Sequence, residues 1–443
     1  MVVYREYLKC DVCEAITAVR TQIGYLDQHP IRIHCGRCGT LFDGLIVIDQ
    51  KRGNYSLTFH NASQVRGKTL PKPDFIIESS GELLTDKLQV YKDDESFACY
   101  TPFFKTLAEI DRFEMSAFID YTQKFLEFRK NRWPRIRRIH DIWIDEKHEY
   151  LAKELREYLH EKTFPLDNEL EYLRGVNIIT LSVFFDLLNK ERFSSNSKFV
   201  MDEISQLANT NLTNLMKLVN YFEANRLIYK YESKLLKQLN RFVVIFPHLI
   251  PVFGLQFYKQ IPRDLSVKKG LTTVSIEDLK QFYVDTYETL AETIDLIVSF
   301  NNLKHRGDFE KMANRRRDIK TMSDFIVKIK SKGIKIDFID GSEAFDKLID
   351  KMLNNKIRNA IGHNSYKFDG ISQLIKFYPK GLQDESDVEE MYLLDFARCC
   401  WNLFLCIVDL YTLVYQTRKI FLVISGYSSI DPKLIDEHGI FKY

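Results

Sequence analysis

The chain has 443 residues, 45% of them apolar and 28% charged, with a net charge of only +2. That length exceeds one ordinary core and predicts two or three domains. The composition excludes a disordered chain, and the near balance of charge leaves nucleic-acid affinity to local patches. Glycine and proline are scarce, at 18 and 11, which favours helices. The opening MVVYREYLKC lacks the apolar core of a signal peptide. The apolar run 399–414, with Asp409 inside it, is too short to span a bilayer and predicts a buried helix. Eight cysteines in a chain this long are not a disulfide framework. These features predict a cytoplasmic protein with no membrane partner.

The first sixty residues read as short strands between turns, at 16–26, 31–34, 41–49 and 55–60. Two pairs with two-residue spacing, Cys10 with Cys13 and Cys35 with Cys38, frame them. Such spacing turns both thiolates of a pair toward one ion, and the second pair completes a tetrahedron. Gly36 and Gly39 suit the tight turns of metal knuckles. The segment resembles a zinc ribbon, and four thiolates with no open position make the expected zinc structural. His34 beside Cys35 is a further potential ligand, although four thiolates suffice. Such a ribbon can also bind nucleic acid or protein, and the sequence leaves that choice open.

Residues 61–100 mix the strand-like Phe75-Ile76-Ile77 with turn clusters and are expected to form an extension or linker. A helical middle domain is predicted over 101–262, with helices at 107–129, 146–161, 168–189, 198–209 and 212–224. The stretch 204–231 is compatible with a winged helix, 227–231 serving as its strand, and the proline-containing 242–262 suggests an interdomain crossing. The C-terminal domain, 263–443, is predicted to hold helices at 275–302, 323–332, 343–360 and 388–419. Ser275, with Asp278 three residues on, forms the first N-cap, and a strand at 374–378 interrupts the series before the last helix. The fold class expected is therefore mainly α: a small β ribbon, a helical middle domain and a C-terminal four-helix bundle.

The third helix of that bundle ends in Lys356-Ile357-Arg358-Asn359-Ala360-Ile361-Gly362-His363-Asn364. Arginine followed by a polar residue, with histidine five positions after the arginine, at the end of the third of four helices, resembles HEPN ribonucleases. The resemblance covers about 275–419. It implies a metal-independent endoribonuclease that cleaves RNA through a dimeric site, as in bacterial abortive-infection and toxin-like defence proteins. Arg358, Asn359 and His363 would be its catalytic residues, and the product a 2′,3′-cyclic phosphate. The chemistry suits the residue types. Histidine transfers protons near neutrality, arginine offers paired donors to phosphate oxygens, and Asn359 lies one turn from His363. The same three residues at a helix end can also be solvated caps.

A second match to the spacing, Arg135 with His140, lies in the basic run 129–138, where Trp133 is expected to be available for stacking. That run, answered by Asp145, Glu146 and Glu149, reads equally as a solvated helix end. Arg315, Arg316 and Arg317 form a second basic run, and Glu288 and Glu292 fall one turn apart on the first C-terminal helix. RNA and a second copy of the chain are the expected partners; an inhibitor or trigger protein is not readable. The alternative function is a non-catalytic zinc-ribbon protein that binds nucleic acid, or a helical adaptor, whose bundle only dimerises.

Overall fold

Alternating apolar residues make the N-terminal ninety residues into sheets. A computed structural model describes residues 2–49, 54–67, 70–92, 101–188, 190–329, 332–340 and 353–427. Strands β1 (Val2–Cys10), β2 (Ile16–Ile23), β3 (Gln28–His34), β4 (Leu41–Asp49), β5 (Asn54–His60) and β6 (Ala62–Gln64) follow in order. They continue with β7 (Phe75–Ser80), β8 (Thr85–Asp86) and β9 (Gln89–Val90). One sheet has the order β6-β1-β2-β7-β9 and another β3-β4-β5. Leu8, Val19, Ile31, Ile33, Phe42, Ile46 and Ile77 from both sheets bury a single core together with Cys10 and Cys35. The segment expected as an extension thus supplies β7, which lies parallel to β2 with Ile77 opposite Val19. A parallel partner needs a long crossover rather than a turn, so no hairpin signal marked it.

The remainder is mainly helical. Helices α1 (Pro102–Glu109), α2 (Arg112–Asn131), α3 (Trp133–Ile144), α4 (His148–Leu155), α5 (Glu169–Phe184), α6 (Lys190–Ala224) and α7 (Leu227–Phe253) come first. A 3₁₀ turn (Gly254–Phe257), α8 (Leu265–Lys268) and strand β10 (Lys269–Gly270) lead to α9 (Ile276–Arg306), α10 (Met322–Lys328) and α11 (Lys332–Ile336). Then come α12 (Asn355–Gly362), β11 (Tyr366–Asp369), β12 (Leu374–Phe377), β13 (Glu389–Tyr392) and α13 (Leu393–Ile424). Of the helix expected at 343–360, the part before residue 353 lies outside the described residues, as does Cys99.

Several boundaries differ from expectation. Residues 227–231 are not a wing strand; they open α7, whose Ile228, Tyr231, Leu235, Leu239, Phe242 and Phe246 are buried at helical spacing. Pro247 and Pro251 lie inside α7 rather than ending it. With the following turn, Leu227–Phe257 is long and apolar enough to cross a membrane, yet 72% of its most apolar window is buried within the structure, as in a core helix. The expected break between 209 and 212 is present: Asn211 leaves helical geometry, with φ −151° and ψ 48°. The cap at Ser275 is also present, its hydroxyl accepting from the Asp278 amide at 3.2 Å.

Two compact units form, each from three separated segments. The first takes residues 1–126, 244–284 and 354–402; the second takes 127–243, 285–353 and 403–443. The consecutive division expected at 60, 100 and 262 therefore does not describe the compact units. Helices α7, α9 and α13, of 27, 31 and 32 residues, contribute one end to each unit. In the second unit, Phe242 stacks on Phe404 with centroids 3.5 Å apart and Phe184 against both. There Arg418 is 5% exposed and donates to Glu232 at 2.5 Å and Glu169 at 2.9 Å.

The first unit brings distant segments of the sequence together. Strand β8 pairs with β10, setting Thr85 opposite Gly270 and Asp86 opposite Lys269. Gln373 exchanges two hydrogen bonds of 2.9 Å with the backbone of Leu271. At the centre, Lys105 of α1 donates to Glu78 at 2.9 Å and Asp86 at 2.6 Å, and Lys269 donates to Asp86 at 2.6 Å. Arg20 lies 3.5 Å from Glu78, both being almost wholly buried. Burial pushes the Asp86 carboxyl up, but the two lysines outweigh it and hold its pKa below the usual range. Its contribution to stability is therefore present above about pH 3.9 and lost on acidification through the folded-state pKa.

Replacing Lys105 by methionine leaves Glu78 and Asp86 under-compensated. It is expected to cost about 3 kcal/mol, the lower end for breaking a buried pair, because Arg20 and Lys269 remain. Urea denaturation at neutral pH measures this. The double variant Lys105→Met, Glu78→Gln should lose less than the sum of the single losses.

Candidate functional site

Two constellations emerge in the first unit, one of cysteines and one at the end of α12. Each cysteine pair sits on the same short turn. In the first, the Cys10 amide donates to the Ala15 carbonyl at 2.9 Å and the Glu14 amide to the Cys10 carbonyl at 3.0 Å. In the second, the Cys35 amide donates to Thr40 at 2.9 Å and the Gly39 amide to Cys35 at 2.9 Å. The fifth residue of each turn is left-handed: Gly39 at φ +73° and Glu14 at φ +60°. Glycine marked the second turn, while Glu14 gave no such sign.

The four sulfurs lie within 4.8 Å of one another, with Cys10 to Cys38 at 3.6 Å and Cys13 to Cys35 at 3.4 Å. A tetrahedral ion about 2.3 Å from each sulfur needs edges of about 3.8 Å, so small side-chain adjustments fit one. The four cysteines can hold a metal ion. Burial pushes the Cys35 thiol up to about 12, whereas hydrogen bonds from the Thr40 hydroxyl and amide hold Cys38 down to about 6. Uptake of a cation releases thiol protons and weakens as pH falls.

Asp74, from the stretch expected to link domains, clamps both turns. Its carboxylate accepts from the Ile16 amide at 2.8 Å and from Arg37 at 2.9 Å, and Arg37 also donates to the Cys13 carbonyl at 3.1 Å. His34 is not among the clustered ligands. Its ring lies 5.8 Å from that of Phe368 and packs so closely on Gly370 that a Cβ there would sit 2.1 Å from it. The end of β3, just before the second cysteine turn, thus touches the β11–β12 hairpin directly.

That hairpin follows α12, which carries Arg358 and Asn359 and is capped by His363. Asn354 starts the helix, its side chain accepting from the amides of Lys356 at 2.9 Å and Ile357 at 3.3 Å. Ile357 and Ala360 are buried, Arg358 and Asn359 half-buried, and His363 exposed. The helix stops because Asn364 is left-handed at φ +52°. The Ser365 amide then reaches the Ala360 carbonyl at 2.7 Å and the Asn364 amide reaches Ile361 at 3.0 Å, the two bonds of a Schellman end. His363 is the last residue before that reversal.

Arg358 donates through Nη1 to Asn359 Oδ1 at 3.2 Å. Asn359 is one turn before His363, whose amide donates to the Asn359 carbonyl at 3.0 Å. The asparagine therefore links a guanidinium to the face that carries the imidazole. Tyr366, three residues beyond His363, donates to Glu277 at 2.9 Å and receives a hydrogen bond from Lys280. The arrangement offers a cation, an amide and an accessible imidazole at one helix end, the groups needed to bind a phosphate and move a proton.

The competing match behaves differently. His140 is fully buried, bonded to Thr180 at 2.8 Å, and burial lowers its pKa to about 3. Arg135 is held by Glu154 at 2.9 Å and Glu157 at 3.3 Å, and Arg138 by Glu154 at 2.8 Å. The acids that answer the run are thus those of α4 and the turn after it. Trp133 is only 5% exposed and packs on Phe128, His140 and Phe184, so it is not available for stacking. Glu292 lies in the second unit, paired with Lys230 at 3.0 Å and Lys234 at 2.6 Å. Of the cysteines in the apolar run 399–414, Cys400 and Cys406 are buried as expected of a core helix, whereas Cys399 is half-buried. No family model, no curated protein and no solved structure matches this chain.

The helix end yields a stability test. Asn364→Gly is expected to leave stability within a few tenths of a kcal/mol, since both residues accept the left-handed conformation. Asn364→Val should cost about 1–2 kcal/mol by urea denaturation.

Proposed function

We propose that this chain is an endoribonuclease of the HEPN type, metal-independent in its chemistry, acting as a homodimer and carrying a structural zinc ion. One observation carries this reading: α12 ends with Arg358 hydrogen-bonded to Asn359 and with His363 exposed beyond them. The buried His140 of the competing match has no access to a substrate, which leaves the α12 pair as the better candidate.

In the proposed reaction a histidine takes the proton of a ribose 2′-OH, and that oxygen attacks the adjacent phosphorus. Arg358 binds the non-bridging oxygens as charge grows on them, and Asn359 orients Arg358. The bond from phosphorus to the 5′-oxygen breaks, and a histidine returns a proton to the leaving oxygen. The products are a 2′,3′-cyclic phosphate and a 5′-hydroxyl. One helix end offers one histidine, so a twofold dimer would bring a second to serve as the acid. Abortive infection or a toxin-like role in bacterial defence, and a cytoplasmic location, belong to the same reading.

Among first-row metals, zinc suits four thiolates best, and a closed donor set leaves no position for substrate. The ion's service is to fold a module too small to hold two sheets together by apolar burial alone. Metal analysis should find about one zinc per chain, lost in the variant Cys10→Ser, Cys35→Ser.

His363→Ala and Arg358→Ala should each lower the rate of RNA cleavage by about a hundred- to ten-thousand-fold, with fold and dimerisation retained. Asn359→Ala should have a smaller effect. Cleavage should persist with magnesium chelated. Normal cleavage by the folded His363 variant would overturn the assignment and favour a nucleic-acid-binding module or adaptor.

A further inference from the structure

The loop between α9 and α10 lies wholly within the second unit and gathers the basic run at 315–317 into a cleft of about 630 Å³. Its polar lining is Arg306, Lys311, Asn314, Arg316, Arg317 and Lys320, with no carboxylate among the lining residues. The volume is in the range of a small-molecule site. The loop is built rather than loose. Phe309, Ala313 and Ile319 are buried, the Asn302 side chain donates to the Phe309 carbonyl at 3.0 Å, and Thr321 and Asp324 form a capping box for α10.

The charges around the cleft do not cancel. Asp340 pairs with Arg306 and, at 3.3 Å, with Arg315; Asp318 pairs with Arg316 at 2.8 Å. Among the described residues Lys311, Arg317 and Lys320 have no ion pair. Arg306 is the most enclosed of the cations, with a side chain 18% exposed. Its Nη1 is buried and has no hydrogen-bond partner among the described residues, although its Nη2 bonds Asp340. That enclosed nitrogen is out of a ligand's reach, so Arg306 contributes charge to the cleft. Three uncancelled cations beside it specify an anion with several oxygens.

We infer that this cleft binds a phosphate-bearing ligand, held by Lys311, Arg317 and Lys320, with Arg306 adding positive charge. The chemistry has two sources, a polyphosphorylated nucleotide or the backbone of single-stranded RNA. The inference stands apart from the α12 site, because binding here requires no cleavage.

The test uses the full chain and two probes, inorganic tripolyphosphate and a labelled 2′-O-methyl oligouridylate, which lacks the hydroxyl needed for cleavage. The variant Lys311→Gln, Arg317→Gln, Lys320→Gln should weaken binding of at least one probe about tenfold. A matched variant, Arg132→Gln, Arg137→Gln, Lys153→Gln, removes three exposed cations elsewhere and should leave it unchanged. Strong tripolyphosphate binding without oligonucleotide binding identifies a free nucleotide. Oligonucleotide binding whose salt dependence shrinks by about two in the cleft variant identifies RNA, at about 0.7 per single-strand phosphate lost. Failure of both probes to bind, or equal losses in the two triple variants, would overturn the inference. Loss of cleavage in His363→Ala with probe binding intact separates this site from the proposed nuclease.

Discussion

Lys105 stands between two carboxylates that strands β7 and β8 hold in a largely buried place, and β8 in turn pairs with β10, more than 180 residues later in the chain. Taking these charges out of water is tolerable only while each keeps its partner. The pairing therefore fixes where α1 lies on the sheet, where β10 enters, and where α9 begins. The His34 contact and the place of the hairpin after α12, which Gln373 ties to Leu271, depend on that assembly. A cysteine cluster near one end of the sequence and an Arg–Asn–His group near the other consequently belong to one compact unit.

Sequence pattern revealed what local physics controls. The cysteine spacing, the ribbon strands, the Ser275 cap and the break near Asn211 each depend on a few neighbouring residues, and each is present. Residue types far apart in the chain were harder to read. Phe75-Ile76-Ile77 looked like an isolated strand because its partner β2 lies parallel and distant. Asp74 falls in the stretch expected as an extension or linker, although it ties the two cysteine turns together. The prolines of α7 suggested a break because propensity is local, whereas burial of Phe242, Phe246, Leu249 and Phe253 holds the helix through them.

The two Arg–His spacings show the same division. Nothing in the bare interval separates Arg135 and His140 from Arg358 and His363. Burial separates them, because α3 turns His140 inward against Thr180 while the left-handed Asn364 stops α12 with His363 outside. Asn364 was visible as part of the motif's sequel, but its service as the residue that ends the helix requires the backbone angle. In the basic run at 129–138, Trp133 and Arg135 are taken up in packing α2, α3, α4 and α5 together, while Arg132, Arg137 and Arg138 stay exposed.

The interleaving of segments has a consequence for synthesis. Domains made of one continuous stretch can fold as each leaves the ribosome, the N-terminal one first. Here the cysteine turns can close early, since all four ligands precede residue 39, but β8 must wait for β10 and Lys105 must hold Asp86 without Lys269. His34 meets Gly370 only once a segment more than 330 residues later has emerged. Arg358 and His363 therefore reach their finished setting only after these later segments have emerged, so a chain released before them carries closed cysteine turns and an unfinished Arg–His group.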